Sequence, residues 1–205
     1  MEETLKNILQ SAAVSYTKYA RGEAKCALSP WLLLYPFQWL TIFWMKLRLA
    51  LFSRGIFSVT DPALPVISVG NNSLGGTNKT PMAEYLVRLF AEAGICAGVV
   101  SRGYAAKEHP PLVIGQDAKS KTRGFAGDEP LMLARRLPDT KVVVARSRID
   151  GVRLLAAAGA DIAVTDDTFQ HRKMARDCDI VLVDATCPFG NGRVIPAGSM
   201  REPMS

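Results

Sequence analysis

The chain has 205 residues, 48% of them hydrophobic and 21% charged, and a formal net charge of +6 at pH 7. This length and composition fit one globular domain or slightly more, and they exclude bulk disorder and collagen-like or mucin-like chains. Four cysteines without a CxxC pair, together with only two histidines, argue against a structural zinc site and a disulfide scaffold, so we expect reduced thiols.

The first 60 residues combine positive charge with an apolar tract. Seven Lys or Arg and three Glu lie there, and positions 31–45 read WLLLYPFQWLTIFWM, an uncharged run that contains all three tryptophans. The run is shorter than the ~20 apolar residues of a membrane span, and Lys46 and Arg48 follow it. Apolar, aromatic helices with basic flanks are typical of segments that lie in the lipid interface, and we interpret residues 31–52 in this way.

Two alternatives exist for this tract: a helix that packs on the domain core, and a true membrane span. The positive charge also raises the question of a nucleic-acid partner. The aromatic side chains are interspersed with leucines rather than with basic residues, which disfavours binding of single-stranded nucleic acid. We therefore expect a lipid surface, and no nucleic acid, as the partner of this segment.

From residue 61 onward, short apolar runs alternate with segments of helical periodicity. The predicted strands are 65–69, 96–100, 141–145, 161–165 and 179–183, and the predicted helices are 79–93, 129–137 and 149–158. The polar stretch 105–127 is predicted to be a long loop. Continuously apolar strands that alternate with helices indicate a mostly parallel sheet with helices on both faces. We expect this α/β domain over residues 61–205, preceded by a helical, membrane-interfacial segment over residues 1–60.

The first predicted strand leads into GNNSLGGTNKT at positions 70–80 and then into a helix. Strand, glycine-rich turn, Lys-Thr and helix are the parts of a P-loop, whose backbone amides hold phosphates. In this interpretation Lys79 reaches the β- and γ-phosphates, and the Thr80 hydroxyl binds Mg2+. The residues assigned to nucleotide binding are Ser73, Leu74, Gly75, Gly76, Thr77, Asn78, Lys79 and Thr80. An ordinary glycine-rich turn between a strand and a helix is the alternative.

Asn78 stands where the P-loop consensus has glycine, and Ser73 also departs from it. Asn is the non-glycine residue best able to adopt a left-handed backbone conformation. We therefore expect Asn78 to preserve the path of the loop, at a cost of about 1–2 kcal/mol, and its side chain to crowd the phosphates.

A P-loop enzyme also needs an acidic residue for Mg2+ at the end of a neighbouring strand. The pair Asp166-Asp167 and the single Asp184 each follow a predicted strand. Paired carboxylates attract a divalent ion, whereas Asp184 follows the more apolar strand, and a turn or helix-cap aspartate is the alternative for each, more so for Asp184. Asp128 and Glu129 open a predicted helix. There an acid acts either in the first helical turn or as a general base for a substrate hydroxyl.

Five ordered motifs carry a resemblance to a known family: GNNSLGGTNKTP, SRGY, GDEP, DDTFQH and FGNGRVIPAGSMREP. Over residues 30–203 the chain resembles the tetraacyldisaccharide 4'-kinases of lipid A biosynthesis. The resemblance implies a P-loop NTPase-like fold and Mg2+-dependent transfer of the ATP γ-phosphate to the 4'-hydroxyl of a lipid A precursor, a tetraacylated glucosamine disaccharide phosphate, to form lipid IVA. It also implies peripheral attachment to the cytoplasmic face of the bacterial inner membrane through an N-terminal amphipathic helix.

The resemblance further implies roles for single residues at matching positions. Asp128 is the base, and Arg193 lies near the phosphates. The implied catalytic residues are Asp128, Lys79 and Arg193, and the implied metal-binding residues are Thr80, Glu129, Asp166 and Asp167.

The sequence departs from the family pattern at three places: Asn78 and Thr168 stand where the family has glycine, and 105–106 read Ala-Ala where it has Gly-Gly. Family members also continue beyond the REP motif into a second lobe, which the resemblance implies is absent here. A truncated or degenerate nucleotide-binding homologue with weak catalysis is therefore the alternative function. A partitioning-type ATPase is disfavoured because its loop has Lys before the glycine pair, where this chain has Leu74.

Overall fold

The computed structural model describes residues 2–23, 30–75, 78–103, 111–114 and 126–204. The helices are α1 (Glu2–Ala20), α2 (Tyr35–Ser53, preceded by a 3-10 turn at Pro30–Leu34), α3 (Lys79–Glu92), α4 (Asp128–Arg136) and α5 (Arg148–Ala157). The strands are β1 (Val66–Asn71), β2 (Ala97–Ser101), β3 (Leu112–Ile114), β4 (Lys141–Val144), β5 (Ile162–Asp166) and β6 (Cys178–Leu182).

The six strands form one sheet in the order β3-β4-β2-β5-β1-β6. All neighbouring pairs are parallel except β3 with β4. The register aligns Val69 of β1 with Asp166 of β5 and with Ile180 of β6. Because parallel strands end at the same edge, the last residues of β1 and β5 lie close together, at the edge where open α/β sheets bind ligands.

The chain divides into two units: Met1–Ile56 with Asn72–Thr77 and Val183–Ser205, and Phe57–Asn71 with Asn78–Leu182. The second unit contains the sheet and helices α3 to α5. Val99 and Val142 pack with α3 and α4 in one buried cluster, whereas Val100 and Val143 pack with α5 in another. This alternation along the strands covers the sheet on both faces, so the predicted α/β class with a mostly parallel sheet is confirmed.

Close approach of α5 to the sheet depends on a glycine in β2. A Cβ built at Gly98 would lie 2.5 Å from Leu155 Cδ2, a side chain that is completely buried. Burying a leucine side chain contributes about 1.5–3 kcal/mol relative to leaving it exposed. Any larger residue at position 98 would displace the Leu155 side chain and reduce this contribution.

In the first unit, α1 packs on the C-terminal segment. Tyr16 Oη donates hydrogen bonds to the carbonyl oxygens of Pro196 (2.9 Å) and Gly198 (3.2 Å), and Tyr19 and Ala20 are buried. The sequence prediction gave residues 1–60 as a helical segment but assigned no separate helix to α1, although Leu5, Leu9, Ala12, Tyr16 and Tyr19 recur along it at helical spacing.

Helix α2 includes most of the apolar tract at 31–45, and large side chains along this helix remain exposed. The most exposed of them are Phe37, Trp39, Leu40, Phe43 and Trp44, each with more than half of its surface accessible. Within the described part of the chain, none of these side chains belongs to either buried cluster. None of the described helices is long and apolar enough to cross a bilayer.

One strand lies inside the stretch predicted to be a loop. β3 (Leu112–Ile114) pairs antiparallel with β4 at the edge of the sheet. Its three residues lie between proline-rich and glycine-containing sequence, too short for a periodic pattern, and tertiary pairing with β4 determines its conformation.

Candidate active site

The P-loop segment follows β1 and leads into α3. Asn78 precedes α3 with φ 54° and ψ 35°, so the predicted left-handed conformation is confirmed. Gly75 also has positive φ, at 119°. Gly76 and Thr77 lie outside the described residues. The N-terminus of α3 offers the backbone amides and positive dipole end that favour an anion.

The earlier part of the loop belongs to the first unit, with Ser73, Leu74 and Gly75. Leu74 donates its backbone N–H to the carbonyl oxygen of Ser199 (2.7 Å), and a bridge joins Ser73 to Met200. The backbone of the loop is therefore paired with the REP-containing C-terminal segment of the same unit.

Lys79 is largely buried, with 15% of its side chain exposed. Its Nζ donates a hydrogen bond to Asn71 Oδ1 (3.4 Å) and lies 3.8 Å from Asp167 Oδ1. The ammonium group is thus held between the ends of β1 and β5. A cation in this position can bind the phosphates of a nucleotide or pair with the acids after β5.

The first turns of α3 and α4 meet through Thr80 and Glu129. The buried Thr80 hydroxyl donates a short hydrogen bond to Glu129 Oε1. Asp128, one residue earlier, is exposed at the start of α4, where the backbone of Gly127 (φ 79°) provides the cap without any side-chain hydrogen bond. A cleft of about 650 Å³ runs along this face of α4 and is lined by Asp128, Glu129, Leu131, Met132, Arg135 and Arg136.

Asp166 ends β5 inside the protein. Burial, together with a smaller contribution from the neighbouring Glu129 carboxylate, raises the pKa of its carboxyl to about 6, whereas Lys79 opposes the shift. Within the described part of the chain, Asp166 Oδ1 is buried and has no hydrogen-bond partner. A buried acidic oxygen with unused acceptor capacity is suited to a bound cation.

The acidic and hydroxyl oxygens here fit a hard cation such as Mg2+. Within the described ranges, no group of three or more His, Cys, Asp or Glu side chains is close enough to hold a metal ion. Mg2+ does not require such a cage, because it keeps several waters and binds one or two carboxylates together with substrate phosphates.

Sequence reasoning missed Arg148, which is buried at the start of α5. Its Nη2 donates to the carbonyl oxygen of Asp166 (2.9 Å), and its Nε donates to Thr168 Oγ1 (3.3 Å). In the sequence, the only signal for Arg148 was its position directly after Ser147. The Ser147 side chain caps α5 by accepting a hydrogen bond from the Asp150 backbone N–H. A cap position alone does not indicate a contact with β5.

Two predicted site candidates lie in the first unit. Arg193 Nη1 donates to Tyr19 Oη (2.6 Å), and the guanidinium lies 4.8 Å from the centroid of the Tyr35 ring. Asp184 accepts hydrogen bonds from the Thr186 hydroxyl and backbone N–H, which lower the pKa of its carboxyl. Asp184 is therefore a turn aspartate, as one of the two interpretations of the sequence held.

Comparison with known proteins identifies related chains. A family model described as LpxK, tetraacyldisaccharide-1-P 4'-kinase, matches residues 30–205. The tetraacyldisaccharide 4'-kinase of Syntrophotalea carbinolica is 44% identical over 197 residues, which cover 93% of this chain and 55% of the relative. That of Chlorobaculum tepidum is 42% identical over 165 residues, which cover 78% and 47%. The chain thus spans about half the length of the curated relatives it matches.

A solved structure supports the same relationship. The crystal structure of "apo" form LpxK from Aquifex aeolicus in complex with ATP superposes with a TM-score of 0.74 at 35% sequence identity. The match covers 84% of this chain and 54% of that chain.

Proposed function

The chain belongs to the tetraacyldisaccharide-1-phosphate 4'-kinase family, and on that premise we propose that it binds ATP and transfers the γ-phosphate to the 4'-hydroxyl of a tetraacylated glucosamine disaccharide phosphate. The observation that carries the proposal is the meeting of Lys79, Thr80, Glu129 and Asp166 where β1 and β5 end and α3 and α4 begin. This is the place where open α/β sheets bind ligands.

ATP binding is supported by the segment between β1 and α3. Asn78 turns the chain into α3, so that the helix N-terminus and Lys79 offer one compact positive site to the phosphates. The related Aquifex aeolicus protein was crystallised in complex with ATP. We assign the nucleotide to 73–80 of this chain on these grounds.

We assign metal binding to four residues: Thr80, Glu129, Asp166 and Asp167. Mg2+, when bound, supplies positive charge that neutralises the phosphate oxygens. The Thr80 hydroxyl and the buried Asp166 oxygen are the oxygen ligands that Mg2+ would use. Asp167 is more exposed, and its Oδ1 lies 3.8 Å from Lys79 Nζ. The raised pKa of Asp166 means that burial disfavours its charged form, and a bound cation stabilises that charged form.

For the chemical step we propose Asp128 as the general base. Its carboxylate is exposed and lines the cleft along α4, where a sugar hydroxyl can approach it from solvent. The 4'-oxygen attacks the γ-phosphorus, its proton passes to Asp128, and the bond to ADP breaks. Arg193 is proposed to contact the phosphates, because it lies in the FGNGR motif of the resemblance.

We further propose that α2 attaches the chain to the cytoplasmic face of the bacterial inner membrane. Trp39, Phe43 and Trp44 are exposed, and Lys46 and Arg48 follow them on the same helix. Aromatic side chains favour the headgroup region and basic ones favour anionic lipid. In this view residues 1–60 form the membrane-interfacial segment and residues 61–205 the kinase domain.

The second candidate function is a nucleotide-binding homologue with weak catalysis. It is favoured by Asn78 and Thr168, which replace two glycines of the family motifs. Titration with a fluorescent ATP analogue tests the shared part of both functions. We expect saturable binding to the wild-type chain and at least tenfold weaker binding to Lys79→Ala, since a charge-assisted phosphate contact contributes about 1.5–3 kcal/mol. Equal binding to both proteins would overturn the assignment of 73–80.

A further inference from the structure

The turn that follows β5 is built around Thr168. The Thr168 side chain is completely buried, and its hydroxyl donates a hydrogen bond to the carbonyl oxygen of Asp166 (3.2 Å). Between them, Asp167 has φ 52°, a left-handed conformation that is uncommon for residues other than glycine, although aspartate adopts it more readily than most. The turn therefore needs interactions that hold it in this conformation.

Arg148 supplies two of them from α5, and a third hydrogen bond joins the same guanidinium to the residue that follows β4. Its guanidinium donates to Thr168 Oγ1 (Nε, 3.3 Å), to the Asp166 carbonyl oxygen (Nη2, 2.9 Å) and to the Ala145 carbonyl oxygen (Nη1, 3.4 Å). Only 5% of Arg148 is exposed, and a buried guanidinium is tolerated when its donors are used in this way. The Asp166 carbonyl thus accepts from both Arg148 and Thr168.

The other side of the turn is also held. The Asp167 backbone N–H donates to the Val69 carbonyl oxygen of β1 (2.9 Å), and Arg176 Nη1 donates to the Thr168 carbonyl oxygen (2.9 Å). Most of these contacts use the backbone or a long side chain. The Thr168 hydroxyl is the one short side-chain group within the turn that, among the contacts the structure describes, accepts from Arg148 and donates to Asp166 at the same time.

We propose that Thr168 is a positioning residue for the carboxylates of Asp166 and Asp167. Its hydroxyl fixes the Asp166 carbonyl against Arg148, and this orientation directs the two acidic side chains toward Lys79. Thr168 itself is assigned no contact with nucleotide or metal. The inference rests on the proposed function, because the orientation of these two carboxylates affects function only where a metal–nucleotide complex binds.

The experiment compares Thr168→Val, which keeps the shape and removes the hydroxyl, with Thr168→Ser, which keeps the hydroxyl. Thr165→Val is the matched control, because Thr165 is an equally buried residue of β5 whose hydroxyl donates to the Ile67 carbonyl oxygen (3.3 Å). Two affinities are measured on each full chain: that for Mn2+ with ATP present, by electron paramagnetic resonance, and that for ATP in EDTA, by fluorescent-nucleotide titration.

We expect Thr168→Val to weaken Mn2+ binding about tenfold and to leave ATP binding in EDTA unchanged, because the loss of a buried hydrogen-bonding group costs about 1–3 kcal/mol. Thr168→Ser and Thr165→Val should match the wild type in both affinities. Unchanged Mn2+ binding by Thr168→Val, or equal weakening by Thr165→Val, would overturn the inference alone. A wild-type chain that binds no ATP would overturn the proposed function and this inference with it.

Discussion

At the scale of single residues, the site combines conformations and environments that cost free energy on their own. Asn78 and Asp167 are the non-glycine residues with positive φ in the described part of the chain. Asn78 directly precedes Lys79, and Asp167 Oδ1 lies 3.8 Å from Lys79 Nζ. Asp166 keeps a buried oxygen without a hydrogen-bond partner among the described residues. Such features persist where the surrounding structure determines them, and they are concentrated at ligand-binding sites.

Asn78 provides a direct test of this cost. Asn78→Gly should tighten ATP binding by about tenfold, because glycine adopts the left-handed conformation without penalty and removes a side chain beside the phosphates. Asn78→Ala should bind ATP more weakly than the wild type, since alanine tolerates positive φ less well than asparagine. Calorimetric titration of the three proteins measures the order. A glycine variant that binds no more tightly would show that Asn78 imposes no cost.

At the scale of elements, α3 and α4 form the frame of the site. Their first turns meet through Thr80 and Glu129, and one ion pair joins Glu84 of α3 to Arg136 of α4. Glu84 of α3 accepts hydrogen bonds from Arg88 Nη2 (2.8 Å) and from Arg136 Nη1 of α4 (3.2 Å). The two helices therefore contact each other at two polar pairs and also contribute side chains to one buried cluster.

The Glu84 contacts predict a pH-dependent stability. Hydrogen bonding from Arg88 lowers the pKa of Glu84, with a further contribution from Arg136. A carboxyl whose folded pKa lies below its unfolded value, about 4.3, stabilises the fold above that value and loses this contribution as the pH falls through the folded pKa. Glu84→Gln should therefore lower the free energy of unfolding by ~0.5–1 kcal/mol at pH 7, and the difference from the wild type should vanish in acid.

Denaturant unfolding at pH 7 and at pH 3 measures this difference. Glu92→Gln is the matched control, because it removes the same charge at an exposed position of α3. A Glu84→Gln protein with wild-type stability at pH 7, or with an equal deficit at both pH values, would contradict the prediction.

Helix α2 predicts binding to anionic lipid. Replacing both Trp39 and Trp44 by Ser should reduce sedimentation with anionic vesicles at least tenfold, because each exposed aromatic side chain that enters the interface contributes about 1.5–3 kcal/mol. Tyr85→Ser is the control, an equally exposed aromatic residue of α3. Equal recovery of the wild type and the double variant in the pellet would contradict a lipid-facing α2.

At the scale of the whole molecule, the sequence predicted the features that local pattern determines. Buried valine runs predicted the parallel strands, and the left-handed Asn78 followed from the residue that replaces glycine. Other features depend on partners that are distant in sequence. The contacts of Arg148 with the turn after β5, and the pairing of β3 with β4, arise only when the sheet forms. The hydrogen bonds of α1 to the C-terminal segment likewise join residues that are distant in sequence.

We propose above that the edge of the sheet beside α4 is a kinase site and that Asp128 is its base. The measurement is transfer of labelled γ-phosphate from ATP to a tetraacyldisaccharide 1-phosphate by the wild-type chain and by Asp128→Asn. We predict transfer to the 4'-hydroxyl by the wild type, and for Asp128→Asn a turnover about 10²–10⁴-fold lower with nearly unchanged ATP affinity, as expected for loss of a general base. Near-normal turnover by Asp128→Asn, or no transfer by a wild-type chain that binds ATP, would contradict this claim.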